Sequence, residues 1–295
     1  MAQDPPADVL EQLAQAAIPG AQLQGAARLT GGVSAQVYRL DLLNGATAVR
    51  LVLRIHGDTH GGHSAPLEFA LLNALADSGL PVPRARHVDD SGALWPDPLL
   101  LIDWLPGSSV PPGRSLRFAR MAQMLRRIHD TPIDALPALP ARTAPFPEGL
   151  DYLPRGPRWA TLRSALTDFS GDRYTGPAVL LHGDFWPENL LWTRGHLTAV
   201  LDWEDAAFGD PLCDLAAAQV ELRYLFGRGA MGAFLNAYAR NQPIDPLRLA
   251  LWQIYVAAAA HCYMGQWGLP RAREAHMRRE ALATIEEAGA VVLGA

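Results

Sequence analysis

LLHGDFWPENLLWTRGHLTAVLDWEDA, residues 180–206, carries the pattern from which the rest of the chain is read. Two apolar runs, 190–192 and 197–201, flank Thr193, Arg194, Gly195 and His196, a short glycine-containing link of the kind that closes a β-hairpin. A turn centred between Gly195 and His196 sets position i opposite position 391 − i, which brings Asn189 opposite Asp202. Directly opposed residues hold their Cβ atoms about 5 Å apart. An amide oxygen and a carboxylate converging at the mouth of a hairpin, with Asp184 five residues before Asn189, make an all-oxygen cluster suited to Mg²⁺ beside phosphate. The chemistry this implies is phosphoryl transfer.

The spacing sharpens the reading. An Asp followed five residues later by an Asn is the separation in the kinase catalytic loop, where the Asp accepts the substrate hydroxyl proton and the Asn binds metal. Asp184 and Asn189 have that separation, and Asp202 follows in the order of the second metal-binding Asp. The competing reading is a surface hairpin whose Asp and Asn only form turns, and a lone HGD would favour it.

HGDFWPEN at 182–189, LDWE at 201–204 and GDPLCDLA at 209–216 together resemble the signature of the aminoglycoside phosphotransferase and choline kinase-like superfamily of small-molecule kinases. That signature is HGDxxxxN, a hydrophobic DW or DWE, and then GDPxxDLA. Protein kinases carry HRD and DFG instead, so the similarity is to the small-molecule branch. The resemblance implies an α+β, two-lobed protein kinase-like fold, with a small β-rich N-lobe over 1–105 and a larger, mainly helical C-lobe over 106–295. It also implies ATP and Mg²⁺ as cofactors, Asp184 as catalytic base, Asn189 and Asp202 as Mg²⁺ ligands, and Asp214 as a buried support for the catalytic loop.

Composition sets the limits. A chain of 295 residues, 49% of them hydrophobic, suits two modest lobes with real cores. The acidic opening, MAQDPPADVLEQLAQAAIPG, shows neither a secretory signal nor a transit peptide, and the longest apolar stretch, 249–260, is too short to span a bilayer. Cys213 and Cys262 are isolated, which suits a reducing cytoplasm and excludes a CxxC motif. A net charge of −5 gives no footprint for nucleic acid. The chain contains no lysine, so all 25 basic residues counted as Lys plus Arg are arginine, and lysine-based covalent mechanisms are excluded.

In chain order, 8–17 reads as a helix and LTGGVSAQVYRLDLL at 29–43 as strand, glycine turn and strand. Gly31 and Gly32 would let backbone amides approach a phosphate, with Ser34 adding a hydroxyl. Alone, such a pair is more often an ordinary hairpin turn; the superfamily's phosphate-covering loop occupies this position. The strand AVRLVLRIH at 48–56 corresponds to the one that supplies a phosphate-gripping lysine in most relatives, and here the position reads Arg54, with Arg50 the alternative. Guanidinium is a planar fork where ammonium is a compact point charge. Ser64 and Pro66 mark a helix start, and Glu68 falls where kinases pair a glutamate with that cation, although an exposed first-turn Glu favoured by the helix dipole is the competing reading. His60 and His63 lack a third ligand for a metal.

PLLLIDWLPG at 98–107 resembles the hinge between lobes, where backbone groups from Ile102 to Trp104 would read an adenine edge. Residues 116–131 have the apolar spacing of an amphipathic helix. Residues 132–157 hold seven prolines and read as an irregular insert or lid. His182 reads as structural beside Asp184, and Glu204 and Asp205 as either an extension of the acidic site or a helix start.

From 213 onward the chain reads helical, with helices near 213–225, 228–240, 245–263 and 271–288. Trp252, Tyr255, Tyr263 and Trp267 are candidates to line an acceptor pocket, although aromatics at helical spacing more often form core. Seven acidic residues against eight arginines over 213–295 argue weakly against a polycationic acceptor. The expected activity is transfer of the γ-phosphoryl group of ATP to a small-molecule hydroxyl, with no nucleic-acid or membrane partner. The alternative is a nucleotide-binding pseudokinase acting through a protein partner.

Overall fold

Side-chain alternation builds the first sheet. Along β2 (Gln36–Asn44) and β3 (Thr47–Ile55), Tyr38, Leu40 and Leu42 point inward together with Leu51, Leu53 and Ile55, the period of two that buries one face of a sheet. The computed structural model describes residues 4–29, 35–57, 61–110, 114–146, 148–241 and 243–294, with the side chains of 114–116 and 241 left out. β1 (Ala21–Leu29), β4 (Ala85–Asp89) and β5 (Leu99–Asp103) complete an antiparallel sheet in the order β1-β2-β3-β5-β4. Leu10 and Leu13 of α1 (Ala7–Ala17) cover its buried face, and α2 (Ala65–Asp77) follows β3. Each fully buried Leu contributes about 1.5–3 kcal/mol of apolar transfer, which adds to the ladder hydrogen bonds in holding the sheet.

The second unit is mainly helical: α3 (Arg114–His129), α4 (Glu148–Tyr152), α5 (Ala160–Thr167), α6 (Pro211–Phe226), α7 (Arg228–Tyr238), α8 (Pro246–Tyr263) and α9 (Arg271–Gly294). Asp210 caps α6 by accepting from Leu212 N, and Asp245 caps α8 by accepting from Leu247 N and Arg248 N; a proline follows each cap. Acceptor side chains there satisfy amides the helix leaves open, and proline's fixed φ suits the first turn. Val220, Ile254, Ala257, Ala258, Ala281 and Ile285 form the centre of its core. Among its described residues, the proline-rich stretch 132–157 is largely irregular, as expected, with the two-residue β6 (Ala141–Arg142), α4 and the start of a 3-10 turn at Pro157.

Two short sheets carry the signature motifs. β7 (Val179–Leu181) pairs antiparallel with β10 (Ala207–Gly209), which pairs parallel with β6. β8 (Leu190–Thr193) and β9 (His196–Val200) form a two-stranded sheet. Gly209 has a steric reason: a Cβ there would run into the Arg142 carbonyl across the parallel pair.

By internal contacts, Met1–Gly107, Asp134–Pro137 and Thr198–Asp205 form one compact unit, and Ser108–Ile133, Ala138–Leu197 and Ala206–Ala295 the other. A single cut near 105 assigns Asp202 to the second region; its contacts belong to the first. The reason is local bonding, since Val200 N donates to Pro81 O and His63 N to Glu204 O. Among the described residues, no helix is long and apolar enough to cross a membrane. Cys213 is buried, Cys262 is exposed, and both are free thiols.

Candidate active site

The loop after β7 is held from below by one carboxylate. Asp214, on the first turn of α6 and fully buried, accepts from His182 N at 2.7 Å and from Gly183 N at 2.9 Å. His129 Nε2 lies 3.2 Å from the same carboxylate, and His129 Nδ1 lies 2.7 Å from the Tyr238 hydroxyl. Burial alone would raise the Asp214 pKa, but the contacts from His129 and His182 outweigh it and hold the carboxyl below the usual range. Gly183, at φ 86°, makes the left-handed step that aims both amides at Asp214.

Asp184 follows, partly exposed. Asn189 Nδ2 donates to Asp184 O and to Asp184 Oδ2, both at 2.9 Å, which fixes the rotation of the carboxylate. That leaves Oδ1 of Asn189 as the amide atom turned away from Asp184. The Asp184 amide donates to His182 Nδ1 at 3.2 Å, so that ring nitrogen serves as an acceptor within the loop. His182 is fully buried, with its ring edge against Phe185. This is the structural role expected for it.

The hairpin register needs correction. Arg194 and Gly195, at φ 49° and 79°, form a two-residue turn with positive φ at both positions, so Thr193 faces His196 and position i faces 389 − i. The strand twist favours such mirror-image turns. Asn189 ends a short 3-10 turn, Pro187–Asn189, and Asp202 follows β9 at φ 64°, so both lie beyond the paired strands. The opposition of the two by cross-strand pairing is therefore withdrawn; what remains is the order and spacing of the motif.

In the first unit, Arg54 is the centre of a buried ionic group. Its Nη1 donates to Glu68 Oε1 at 2.9 Å and to Asp202 Oδ1 at 3.1 Å, and its Nη2 to Glu204 Oε2 at 2.5 Å. Burial would lower the Arg54 pKa, but Glu68, Asp202 and Glu204 raise it further, so the guanidinium stays charged. His56 Nε2 lies 3.3 Å from Glu68 Oε2. Glu68 is 1% exposed, which removes the exposed-glutamate reading. Ser64 occupies the cap position of α2, yet its hydroxyl makes no cap bond. Gly62 matters here, because a Cβ on it would press into the Glu204 side chain. Arg50 is exposed and paired with Asp41.

Gly31, Gly32, Ser34 and His60 lie outside the described residues. Ile102 is buried within β5, between Val52 of β3 and Ala85 of β4, and the Asp103 and Trp104 amides donate to the carbonyls of Arg84 and Arg50. Among the described residues, no three His, Cys, Asp or Glu side chains are grouped to hold a metal. Of the aromatic candidates, Trp252 is fully buried with its indole N–H on Asp210, a structural position. Tyr255 donates to Glu148, Tyr263 is exposed against Tyr152, and Trp267 packs on the helical core.

Two carboxylates near Asp184 escaped the motif reading. Glu221 on α6 is half-buried, and desolvation, then the charges of Asp184 and Glu188, push its pKa up to about 8 despite Arg273. Glu188 itself pairs with Arg273 at 3.2 Å. The signal was available in the spacing, because Glu221 lies two helical turns beyond Asp214 on one face of α6.

The sequence also matches known proteins. Residues 25–252 match the model of the phosphotransferase enzyme family. A homoserine kinase of Pseudomonas aeruginosa is 27% identical over 202 residues, 63% of this chain and 64% of that protein. Mouse acyl-CoA dehydrogenase family member 10 is 27% identical over 52% of this chain, which spans only 16% of its length. Among solved structures, a choline/ethanolamine kinase family protein from Mesorhizobium loti superposes with TM-score 0.62 at 22% identity, covering 96% of this chain and 99% of that one. A thermostable mutant of aminoglycoside phosphotransferase APH(4)-Ia, in ternary complex with AMP-PNP and hygromycin B, gives 0.66 at 17%, covering 95% and 99%. These structures share the α+β kinase-like fold. With the HGD loop, the DWE segment and the GDPxxDLA helix start all in place, the chain belongs to the phosphotransferase enzyme family.

Proposed function

We propose that this protein is a small-molecule kinase that transfers the γ-phosphoryl group of ATP, with Mg²⁺, to an alcohol hydroxyl. The observation that carries the reading is Asp184, rotationally fixed by Asn189 on a loop anchored to Asp214. In a loose phosphoryl-transfer transition state the hydroxyl needs orientation more than strong deprotonation, and a fixed carboxylate gives it. Asp184 would receive the acceptor hydroxyl and take its proton as the new O–P bond forms.

Mg²⁺ binds one or two protein oxygens and completes its shell with phosphate and water, and an amide oxygen and a carboxylate are each donors of the kind it takes. Asn189 would offer Oδ1, because its Nδ2 is engaged by Asp184; Asp202 would offer its carboxylate, about one third exposed. When bound with ATP, the metal neutralises charge developing on the transferred group. Arg54 would meet the α- and β-phosphates with Glu68 and Glu204 fixing its orientation. Gly31, Gly32 and Ser34 would cover the phosphates. Since the Asp103 and Trp104 amides are engaged within the sheet, adenine recognition near Ile102 and Trp104 would use carbonyls there or amides beyond Trp104.

The similarity to homoserine kinases and the carboxylates Glu188 and Glu221 near Asp184 both support an acceptor that carries an amine, such as an amino alcohol. The second reading, a nucleotide-binding pseudokinase acting through a protein partner, draws support from Arg54, whose guanidinium is already shared among three carboxylates. ADP release from Mg-ATP across a library of amino alcohols, sugars, aminoglycosides and macrolides separates the two. Acceptor-dependent release supports the kinase; tight nucleotide binding with no release for any acceptor supports the pseudokinase.

A further inference from the structure

Along α3, the side chains of Arg120, Gln123, Met124 and Arg127 recur at the spacing that puts residues on one helix face. They form one wall of a cavity of about 330 Å³, and His196 and Leu197 at the start of β9 form the other. Among the described residues, no Asp or Glu lines it, in a chain whose net charge is −5. Other arginines of α3 are matched to protein groups: Arg126 donates to Ala237 O, and Arg117 lies over the Phe226 ring. Arg120 differs. Its Nη1 is buried without a hydrogen-bond partner among the described residues, under the β8–β9 turn, where a Cβ on Gly195 would come within 3.8 Å of it. An unpaired guanidinium donor carries a desolvation cost, and the rest of the half-buried Arg120 guanidinium lines the cavity, where an oxyanion would offset its charge.

We propose that this cavity binds a small organic anion, a phosphate monoester or a carboxylate on a short apolar body. Arg120 and Arg127 hold the charged group, in the forked geometry that suits oxyanions, with His196 beside them. Met124 and Leu197 contact the apolar part. The volume falls at the small end of ligand sites, roughly 300–1,000 Å³, which suits a metabolite and not a nucleotide. Among the described residues, the site is lined by α3 and the start of β9, with none of the residues assigned to phosphoryl transfer.

The test is titration of the full chain with inorganic phosphate, glycerol 3-phosphate and succinate at constant ionic strength, with chloride as control. Calorimetry reads affinity, and hydrogen exchange reads location. Saturable binding is expected at about millimolar Kd or tighter, with protection confined to 114–129 and 190–200. Arg120→Gln should weaken it at least about tenfold. Gln123→Glu, which adds a repelling carboxylate at an exposed position with little risk to folding, should do the same. A preference for the phosphates or for succinate identifies the anion class. Equal response to chloride, affinity unchanged in both variants, or protection elsewhere in the chain would overturn the proposal.

Discussion

Arg54 Nη1 and Glu68 Oε1 are 2.9 Å apart, joining a central strand to α2 in a setting where Arg54 is 8% and Glu68 1% exposed. A charge this enclosed cannot lose a partner cheaply, because breaking a buried pair leaves the remaining ion uncompensated. Glu68→Ala should therefore destabilise the protein by about 3 kcal/mol, the low end for such pairs, since Asp202 and Glu204 still face Arg54. Urea denaturation checks this. A loss below about 1 kcal/mol, the value of a surface pair, would contradict it.

Arg54→Lys is expected to separate charge from geometry. Ammonium retains the positive charge but offers one nitrogen where Arg54 uses Nη1 for Glu68 and Asp202 and Nη2 for Glu204. Stability should fall by about 1–3 kcal/mol from the poorly satisfied Glu204. ATP-dependent transfer should stay within about tenfold of the parent, equivalent to 1.4 kcal/mol of barrier. Paired denaturation and steady-state kinetics would show it, and a Lys variant as stable as the parent would mean the fork is unnecessary.

Asp214 predicts an acid limit to stability. Its folded pKa is depressed, so the stabilisation it supplies is complete above the unfolded value near 3.9 and is lost as pH falls through the lower folded value. Asp214→Asn should be less stable than the parent at pH 7, with the gap narrowing as pH falls below the unfolded value. Melting temperatures of both proteins across that range are the measurement; a gap that stays constant with pH would show that Asp214 acts through packing alone.

Glu221 has the opposite sign. Its pKa is raised to about 8, so its contribution is most favourable below the unfolded value near 4.3 and declines as pH rises through 8. Glu221→Gln should gain stability relative to the parent as pH rises toward 8, with no difference below pH 4. For an amine-bearing acceptor, the parent's KM should rise as pH drops from 8.5 to 6.5, about tenfold per unit at most, and the Gln variant should lack this dependence. A KM with the same pH profile in both proteins would remove Glu221 from acceptor binding.

The helices and the first sheet were legible because period and caps are local: Asp245, Pro246 and the apolar run after them define α8 without reference to the rest of the chain. The local bonding of Asp184 to Asn189 was foreshadowed by their five-residue spacing, and the buried position of Asp214 under the loop by the family resemblance. Register was not, because Arg194 at positive φ is a poor sequence signal and moved the turn by one residue. Nor was the pairing of Glu204 with Arg54, or of His129 with Asp214, since contacts 150 and 85 residues apart follow from tertiary packing and leave no local pattern. The short strands β6 and β10 are held by backbone bonds from Phe208 N to Pro140 O and from Asp210 N to Arg142 O, with Gly209 leaving room for the close approach, which composition does not reveal.

The central claim is that Asp184 receives the acceptor's proton in ATP-dependent transfer, and the most direct measurement is acceptor-dependent ADP release by the parent and by Asp184→Ala. The account predicts that the variant loses at least about 10²–10⁴-fold in kcat, the range for a positioned acid or base, while binding Mg-ATP with near-parental affinity. Equal turnover in the two proteins would contradict it.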